Sequence, residues 1–228
     1  MKLYKSCILI VGLAVILLSS VIVTAETETD PSGDVYHWKL TGTAWGWTPS
    51  TDPRPNIDIT ELTYTSDGDQ LTMTMKVAGS IQSSENIVYM AWVNTSDAYY
   101  WLMVNDQNRS GMAMNTENAM QFEFANATVS GDTITCSFNL VGSDYNSTEF
   151  WGYAAEYEVF GDITKDWWGD WIPGSYSPFW GENGGEDGNG DGGGTTDNGD
   201  DSGGSPGFEA IAIIAAIGVV FLILRRRK

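Results

Sequence analysis

The sequence predicts an all-β ectodomain, an antiparallel β-sandwich, with an apolar targeting helix outside it at each end of the chain. Three observations support this prediction. Segments between residues 56 and 160 alternate apolar and polar side chains with a period of two, which is typical of half-buried strands. Asp-Gly and Gly-Asp pairs separate some of these segments at hairpin spacing. Two longer apolar runs, each bounded by basic residues, lie at the two ends of the chain.

The predicted strands are short and follow one another closely. Residues 56–65 and 71–77 flank the turn at Asp67-Gly68 and form the clearest hairpin. Gly131-Asp132 predicts a second tight turn between two later runs. With the remaining runs this makes seven or eight antiparallel strands, which is typical of a β-sandwich; those runs are 87–93, 98–104, 119–129, 133–140 and 150–160.

The composition excludes several classes of function. Asp and Glu outnumber Lys and Arg by 30 to 11, so the net charge is −19 and phosphate backbones would be repelled. We therefore expect no nucleic-acid partner. Hydrophobic residues make up 42% of the chain, enough for a folded core rather than an acidic disordered protein. A single His leaves little room for a His-rich metal site or a His-based catalytic triad.

The N-terminus is typical of a Sec-type signal peptide over residues 1–25. Lys2 and Lys5 precede an apolar run, and small residues at Val23 and Ala25 predict cleavage before Glu26. An uncleaved anchor is the alternative. Cleavage would remove Cys7 and leave Cys136 as the remaining cysteine, which we expect to be a small buried apolar residue.

The C-terminus combines a stalk with a sorting signal. Residues 181–205 consist almost wholly of Gly, Asp, Glu, Asn, Ser and Thr, which predicts a disordered tether after the 26–180 ectodomain. In residues 206–228, Pro206-Gly207-Phe208 precedes a short apolar run and a terminal Arg-Arg-Arg-Lys cluster. This order resembles the archaeal PGF-CTERM signal. The resemblance implies processing by an archaeosortase and a lipid anchor; a permanent transmembrane helix is the alternative. Either places the ectodomain on the extracellular face of the membrane.

Four N-x-Ser/Thr sequons lie at strand ends or turns of the predicted ectodomain, where a transferase could reach them. They predict glycosylation at Asn94, Asn108, Asn126 and Asn146.

Carboxylates at the start of the ectodomain form a candidate metal site. Asp30 and Asp34 flank a Pro-Ser-Gly turn, and Asp58 precedes an Ile-Thr strand about 25 residues later. Such carboxylates can converge on a hard cation. The arrangement resembles the opening of the DOMON-like superfamily of β-sandwiches, which includes family-nine carbohydrate-binding modules. The resemblance implies a structural calcium held by Asp30, Asp34 and Asp58. The alternative is a turn with solvated carboxylates.

Ten tryptophans form the second unusual feature. Three of them lie in predicted strands and are expected to fill the core: Trp92, Trp101 and Trp151. Five others lie in segments that read as Gly- and Asp-rich loops, where indoles with nearby carboxylates suit sugar binding. These candidate ligand-binding residues are Trp45, Trp47, Trp167, Trp168 and Trp171. The alternative is that they pack over the sandwich ends as lids.

These observations predict a surface-anchored binding protein rather than an enzyme, with carbohydrate as the first candidate ligand. Glu156 and Glu158 are candidates for a pair of catalytic carboxylates, but such pairs are common on an acidic surface. A structural or adhesive cell-envelope glycoprotein is the main alternative. A less favoured one is haem, because some DOMON domains ligate it through one His and one Met, and the ectodomain has His37 and seven methionines.

Overall fold

A computed structural model describes residues 24–144 and 146–176 of the chain. The stalk, the sorting signal with Pro206, Gly207 and Phe208, and all but the last two residues of the predicted signal peptide lie outside the described residues. No helix within the described ranges has the length and apolar character needed to cross a membrane.

The described residues are nearly all β-structure. One short 3₁₀ turn, Gly174–Tyr176, follows the last strand. The strands, in chain order, are β1 (Thr24–Thr29), β2 (Tyr36–Thr41), β3 (Ala44–Pro49), β4 (Ile59–Asp67), β5 (Gln70–Val77), β6 (Ile87–Asn94), β7 (Ala98–Val104), β8 (Arg109–Asn115), β9 (Phe122–Ser130), β10 (Thr133–Asn139), β11 (Glu149–Tyr157) and β12 (Trp167–Ile172).

These strands form one curled antiparallel sheet in the order β1-β4-β5-β10-β9-β8-β7-β6-β11-β12-β2-β3. Strand β9 makes the corner, because its first half pairs with β8 and its second half, from Ala127, pairs with β10. The sheet therefore folds back on itself, and its two halves enclose a core as in a sandwich. The all-β, sandwich-like prediction is confirmed in this form.

Both predicted hairpins are confirmed. β4 and β5 join through Gly68-Asp69, and β9 and β10 join through Gly131-Asp132. Gly68 and Gly131 have φ values of 64° and 63°. This left-handed conformation is easily reached by glycine and is what two-residue hairpin loops require.

The core lies between the two halves of the sheet. Its largest fully buried side chains include Tyr64, Tyr89, Tyr100 and Phe138. At Gly152 of β11 the halves approach so closely that an added Cβ would lie 2.9 Å from Met75 Cε on the opposite half. Cys136 is buried in this core as a free thiol, as predicted, and burial raises its pKa to about 12.

The number of strands was underestimated. The predicted strands do not include β1, β2, β3, β8 and β12. These five strands contain charged, glycine or tryptophan residues that obscure the alternation of apolar and polar side chains. The segments around Trp45–Trp47 and Trp167–Trp171 are thus strands, not loops.

The placement of Trp92, Trp101 and Trp151 in the core was also wrong. All three are half-buried on the other side of the sheet, whereas their strand neighbours Val93, Tyr100 and Phe150 face the core. Strands β6, β7 and β11 are apolar on both faces, so their alternation could not reveal which face is inside.

Candidate metal centre

Four aspartates converge where β4, in one half of the sheet, meets β12, in the other half. Asp30 follows β1, Asp34 precedes β2, Asp58 precedes β4, and Asp170 lies within β12. One carboxylate oxygen from each of Asp30, Asp34 and Asp170 lies within 4.8 Å of the others. Elements far apart in sequence thus bring three carboxylates to one point.

The turn between β1 and β2 is held in place by Asp58. Its Oδ2 accepts a hydrogen bond from the Gly33 backbone N–H at 2.8 Å. Gly33 has a φ of 93°, which a residue with a Cβ rarely adopts, so this turn depends on glycine. The backbone of Asp58 is itself anchored, since its carbonyl accepts from Ala78 N at 2.7 Å.

Asp170 is held more tightly. It is 3% exposed, and its two oxygens accept from the backbone N–H groups of Ile59 at 2.6 Å and Trp171 at 2.9 Å. Each carboxylate oxygen has further lone pairs, so these bonds leave capacity for a cation.

Other oxygens of the cluster are buried without a hydrogen-bond partner. They are Oδ2 of Asp30 and Oδ1 of Asp58, and Asp58 is itself only 5% exposed. A buried carboxylate oxygen without a partner is costly unless something else binds it. None of the ion pairs among the described residues includes a member of this cluster.

The electrostatics of the cluster reflect this lack of positive charge. Burial, followed by the charge of Asp34, raises the pKa of Asp30 to about 7. Burial, followed by the charges of Asp34, Asp30 and Asp58, raises the pKa of Asp170 well above its usual value. Burial also raises the pKa values of Asp34 and Asp58. Without a cation, the raised pKa values imply that at least one carboxyl of the cluster is protonated near neutral pH, which reduces the repulsion between the carboxylates.

The donor set fits calcium. Ca²⁺ takes six to eight oxygen ligands, from carboxylates, backbone carbonyls and waters, in flexible geometry. Here the first ligands would come from Asp30, Asp34 and Asp170, with Asp58 supporting the turn that carries Asp34.

The predicted and observed clusters overlap but differ. Asp30 and Asp34 lie together as predicted, while Asp58 lies beside them and hydrogen-bonds to their turn. Sequence reasoning missed Asp170. The sequence does contain a signal, since Asp170 stands between Gly169 and Trp171 in a Trp-rich segment. That segment was predicted to be a loop, where an aspartate is expected to be solvated.

The five candidate ligand-binding tryptophans lie on two strands at one end of the sheet, with β2 between them. Trp45 and Trp47 belong to β3, the last strand of the sheet, and the other three to β12. Trp167 and Trp171 are buried at 7% and 8% exposure, and Trp45 and Trp47 are half-buried.

Four of the five lie on an outer aromatic face, the side of the sheet opposite the core. One row of paired residues crosses β3, β2, β12 and β11 and contains Trp47, Trp38, Trp167 and Tyr157. A second row crosses β11, β6, β7, β8 and β9 and contains Trp151, Trp92, Trp101, Met112 and Phe124.

Many ring faces on this surface are occupied by other rings. Trp92 and Trp151 stack at 4.2 Å between ring centroids, and Tyr176 stacks on Trp151 at 5.3 Å. Tyr157 stacks on Trp167 at 5.1 Å. Stacked neighbours offer their edges rather than their faces to a ligand.

Trp168 points to the other side of β12 and is enclosed. His37 stacks on it at 4.4 Å, and the Arg54 guanidinium lies 3.8 Å from its ring centroid. His37 Nε2 lies 3.0 Å from an Asp166 oxygen, so a haem iron at this nitrogen would have to displace that carboxylate. Arg54 donates to Glu156 at 2.7 Å, so one member of the Glu156–Glu158 pair considered as catalytic acids is engaged in an ion pair.

Comparisons with known proteins add no homologue. No family model matches the sequence, and neither the curated proteins nor the solved structures include a match.

Proposed function

We propose that this protein is a calcium-stabilised, cell-surface binding module of the DOMON-like, carbohydrate-binding type. The observation that carries the proposal is the convergence of Asp30, Asp34 and Asp170 within 4.8 Å, with buried carboxylate oxygens that have no partner. The curled all-β sheet supports the same family type. Calcium acts structurally here, because it ties the β1–β2 turn to β12 beside the contact between β4 and β12.

Export and anchoring belong to the same proposal. The signal peptide directs the chain out of the cytoplasm, and residues 206–228 hold it at the membrane through a helix or, after archaeosortase cleavage, a lipid. Removal of both segments would appear as a deficit in the intact mass of the protein isolated from membranes. A mass equal to that of the full chain would contradict the processing.

Carbohydrate is the proposed ligand, and Trp45 with Trp47 is the proposed contact. Both are half-buried and lie on the last strand of the sheet, where no further strand among the described residues covers them. Trp47 meets the Trp167 ring edge-on at 4.2 Å and the Trp171 ring at 5.3 Å. Trp45 stacks on Trp38 at 6.3 Å between ring centroids, so the proposed sugar contact is the other face of the Trp45 ring. Trp168 would contribute indirectly by fixing β12.

A glycan array probed with the purified secreted protein tests this ligand. We expect binding that falls at least tenfold in Trp45→Ala, with Trp101→Ala as the matched control because Trp101 lies on the same face several strands away. Circular dichroism would verify that both variants are folded. An array without signal, or equal losses in the two variants, would contradict a sugar site on β3.

A second candidate function is a structural cell-envelope glycoprotein without a small ligand. The mutual stacking of Trp92, Trp151 and Tyr176 favours it, because rings packed on one another stabilise the fold rather than present faces. A blank array together with loss of stability in Trp92→Ala would favour this second function.

A further inference from the structure

The sequon at Asn126 lies on the outer aromatic face, within β9. Asn126 and Thr128 are exposed in β9 and alternate with Ala127, which is 7% exposed and faces the core. Phe124 precedes Asn126 by two residues and is 63% exposed. Since side chains two residues apart on a strand point the same way, Phe124, Asn126 and Thr128 form one line on the outer face.

Phe124 belongs to an apolar patch on the surface of the sheet. Its ring contacts that of Phe122, 52% exposed, at 5.7 Å between centroids. On β8 the two phenylalanines are paired with Met112 and Met114. No acidic residue lies among the outward-facing positions of β8 and β9, although the chain has 30 acids. An uncharged patch of this kind is typical of a surface that something covers.

The side-chain amide of Asn126 is the least engaged of the four. Asn94 Nδ2 donates to Glu149 at 2.6 Å, and Asn146 Nδ2 donates to Asp144 at 3.3 Å. The Asn108 side chain accepts from Ser110, the third residue of its own sequon, at 2.7 Å. Asn126 is exposed and has no side-chain hydrogen bond within the described part of the chain, so an added sugar displaces nothing there.

We propose that Asn126 carries an N-linked glycan whose first sugar lies on the Phe124 ring and shields this patch. The donor class is a lipid-linked oligosaccharide. A bond forms between Asn126 Nδ2 and the anomeric carbon, the bond from that carbon to the lipid phosphate breaks, and the amide proton leaves with the phosphate. The inference rests on the proposed export, because such donors are used outside the cytoplasm.

The contact follows from the strand geometry. Residues two apart on a strand are separated by about 6.6 Å, which is near the span of one pyranose ring plus its linkage. The C–H groups of the sugar would meet the electron-rich face of Phe124, as they meet other aromatic faces. Asn146 provides a contrast, because it lies in the loop between β10 and β11 and its amide contacts the Asp144 carboxylate rather than a ring.

Glycopeptide mass spectrometry of the full chain, secreted from a host with an oligosaccharyltransferase, tests the modification. We expect the peptide containing Asn126 to carry a glycan, and Asn126→Gln and Thr128→Ala each to remove it. If the chain's own signal fails to export it, a host secretory signal replaces residues 1–25, so that failure of export counts only against the proposed function. An unmodified Asn126 in the exported protein would overturn the inference.

A double comparison then tests the contact with Phe124. Preventing the Asn126 glycan with Asn126→Gln should lower the unfolding midpoint by about 2 °C when Phe124 is present and leave it unchanged in Phe124→Ala. Because Phe124 is exposed, its replacement is expected to leave the fold intact. The matched control is Asn146→Gln, whose effect on the unfolding midpoint should be the same with and without Phe124. Equal shifts with and without Phe124 would overturn the shielding role.

Discussion

Two carboxylate sites of this molecule, around Asp97 and in the aspartate cluster, have opposite electrostatic character. Asp97, in the loop between β6 and β7, accepts hydrogen bonds from Ser143 N at 2.7 Å and Ser143 Oγ at 2.8 Å, and Thr95 and Asp144 donate to it as well. Burial opposes ionisation of Asp97, but these hydrogen bonds outweigh it and lower its pKa. In the cluster of Asp30, Asp34, Asp58 and Asp170, every pKa is raised.

The difference lies in the number of donors per carboxylate. At Asp97 the protein supplies N–H and O–H groups to one carboxylate, so the anion is stable without help. In the cluster, a few backbone N–H groups serve four carboxylates that also repel one another. The two sites thus differ in their balance of buried anionic oxygen against donors, and the proposed metal centre rests on the excess of anionic oxygen in the cluster.

The largest expected effect comes from Asp170→Asn. The new amide would set an N–H group against one of the two backbone donors, Ile59 N or Trp171 N, and would remove a proposed calcium ligand. We expect a loss of about 2–4 kcal/mol in the free energy of unfolding, measured by urea denaturation with calcium present. Asp166→Asn, four residues earlier and outside the cluster, is the matched control. A loss in Asp170→Asn below that of the control would show that the buried carboxylate is not needed.

Removing the carboxylate at Asp97 should cost less and should not depend on calcium. Asp97→Asn weakens the bonds from Ser143 and Asp144, which we expect to cost about 1–2 kcal/mol in the free energy of unfolding. The measurement is urea denaturation with calcium and with EDTA. If the loss of unfolding free energy in Asp97→Asn differed between calcium and EDTA, Asp97 would not be independent of the proposed metal centre.

The stabilising contributions of the two sites should also change with pH in opposite directions once calcium is removed. Asp30 has a folded pKa of about 7 against 3.8 in an unfolded chain, so its contribution is most favourable below pH 4 and is lost as the pH rises through 7. Asp97 has a lowered pKa, so its contribution is present above pH 4 and is lost as the pH falls below that value.

Unfolding free energies measured in EDTA between pH 5 and pH 8 test the part of this prediction that concerns Asp30. We expect stability to fall by about 1–2 kcal/mol over that interval, after allowance for solvent screening, and the decrease to vanish when calcium is added. Stability that rises from pH 5 to pH 8 in EDTA would contradict the assignment.

The smallest expected effect changes sign with calcium. Asp34→Asn removes one of the repelling charges, so in EDTA it should stabilise the protein by about 0.5–1 kcal/mol. With calcium it should destabilise, because a ligand is lost. Asp52→Asn, at an exposed acid in the loop between β3 and β4, should show no such reversal. The same sign in both conditions would argue against Asp34 as a ligand.

The local parts of the fold could be predicted from the sequence. The β4–β5 and β9–β10 hairpins could be predicted from the alternation of apolar and polar residues and from the turn glycines Gly68 and Gly131. Both signals come from residues close together in the sequence. The Asp30-to-Asp34 turn is local too. Asp170 reaches it only because β12 pairs with β2, and no local pattern encodes a pairing between strands about 130 residues apart.

The tryptophans show the same limit. The alternation of β6 shows that Trp92 and Val93 face opposite sides, but both sides are apolar. Which side becomes the core depends on the curl of the whole sheet at β9, a property of strand order rather than of β6 itself. Hence the strand was predicted and its orientation was not.

The most direct test of the central claim is thermal unfolding of the EDTA-treated protein at pH 7.5, with and without added calcium. At a calcium concentration 100 times the dissociation constant, a single site stabilises the fold by about 2.7 kcal/mol. For a domain of this size that corresponds to a rise of about 5–10 °C in the unfolding midpoint. We predict this rise for the parent protein and its absence in Asp170→Asn. Coincident unfolding curves of the parent with and without calcium would contradict the metal centre.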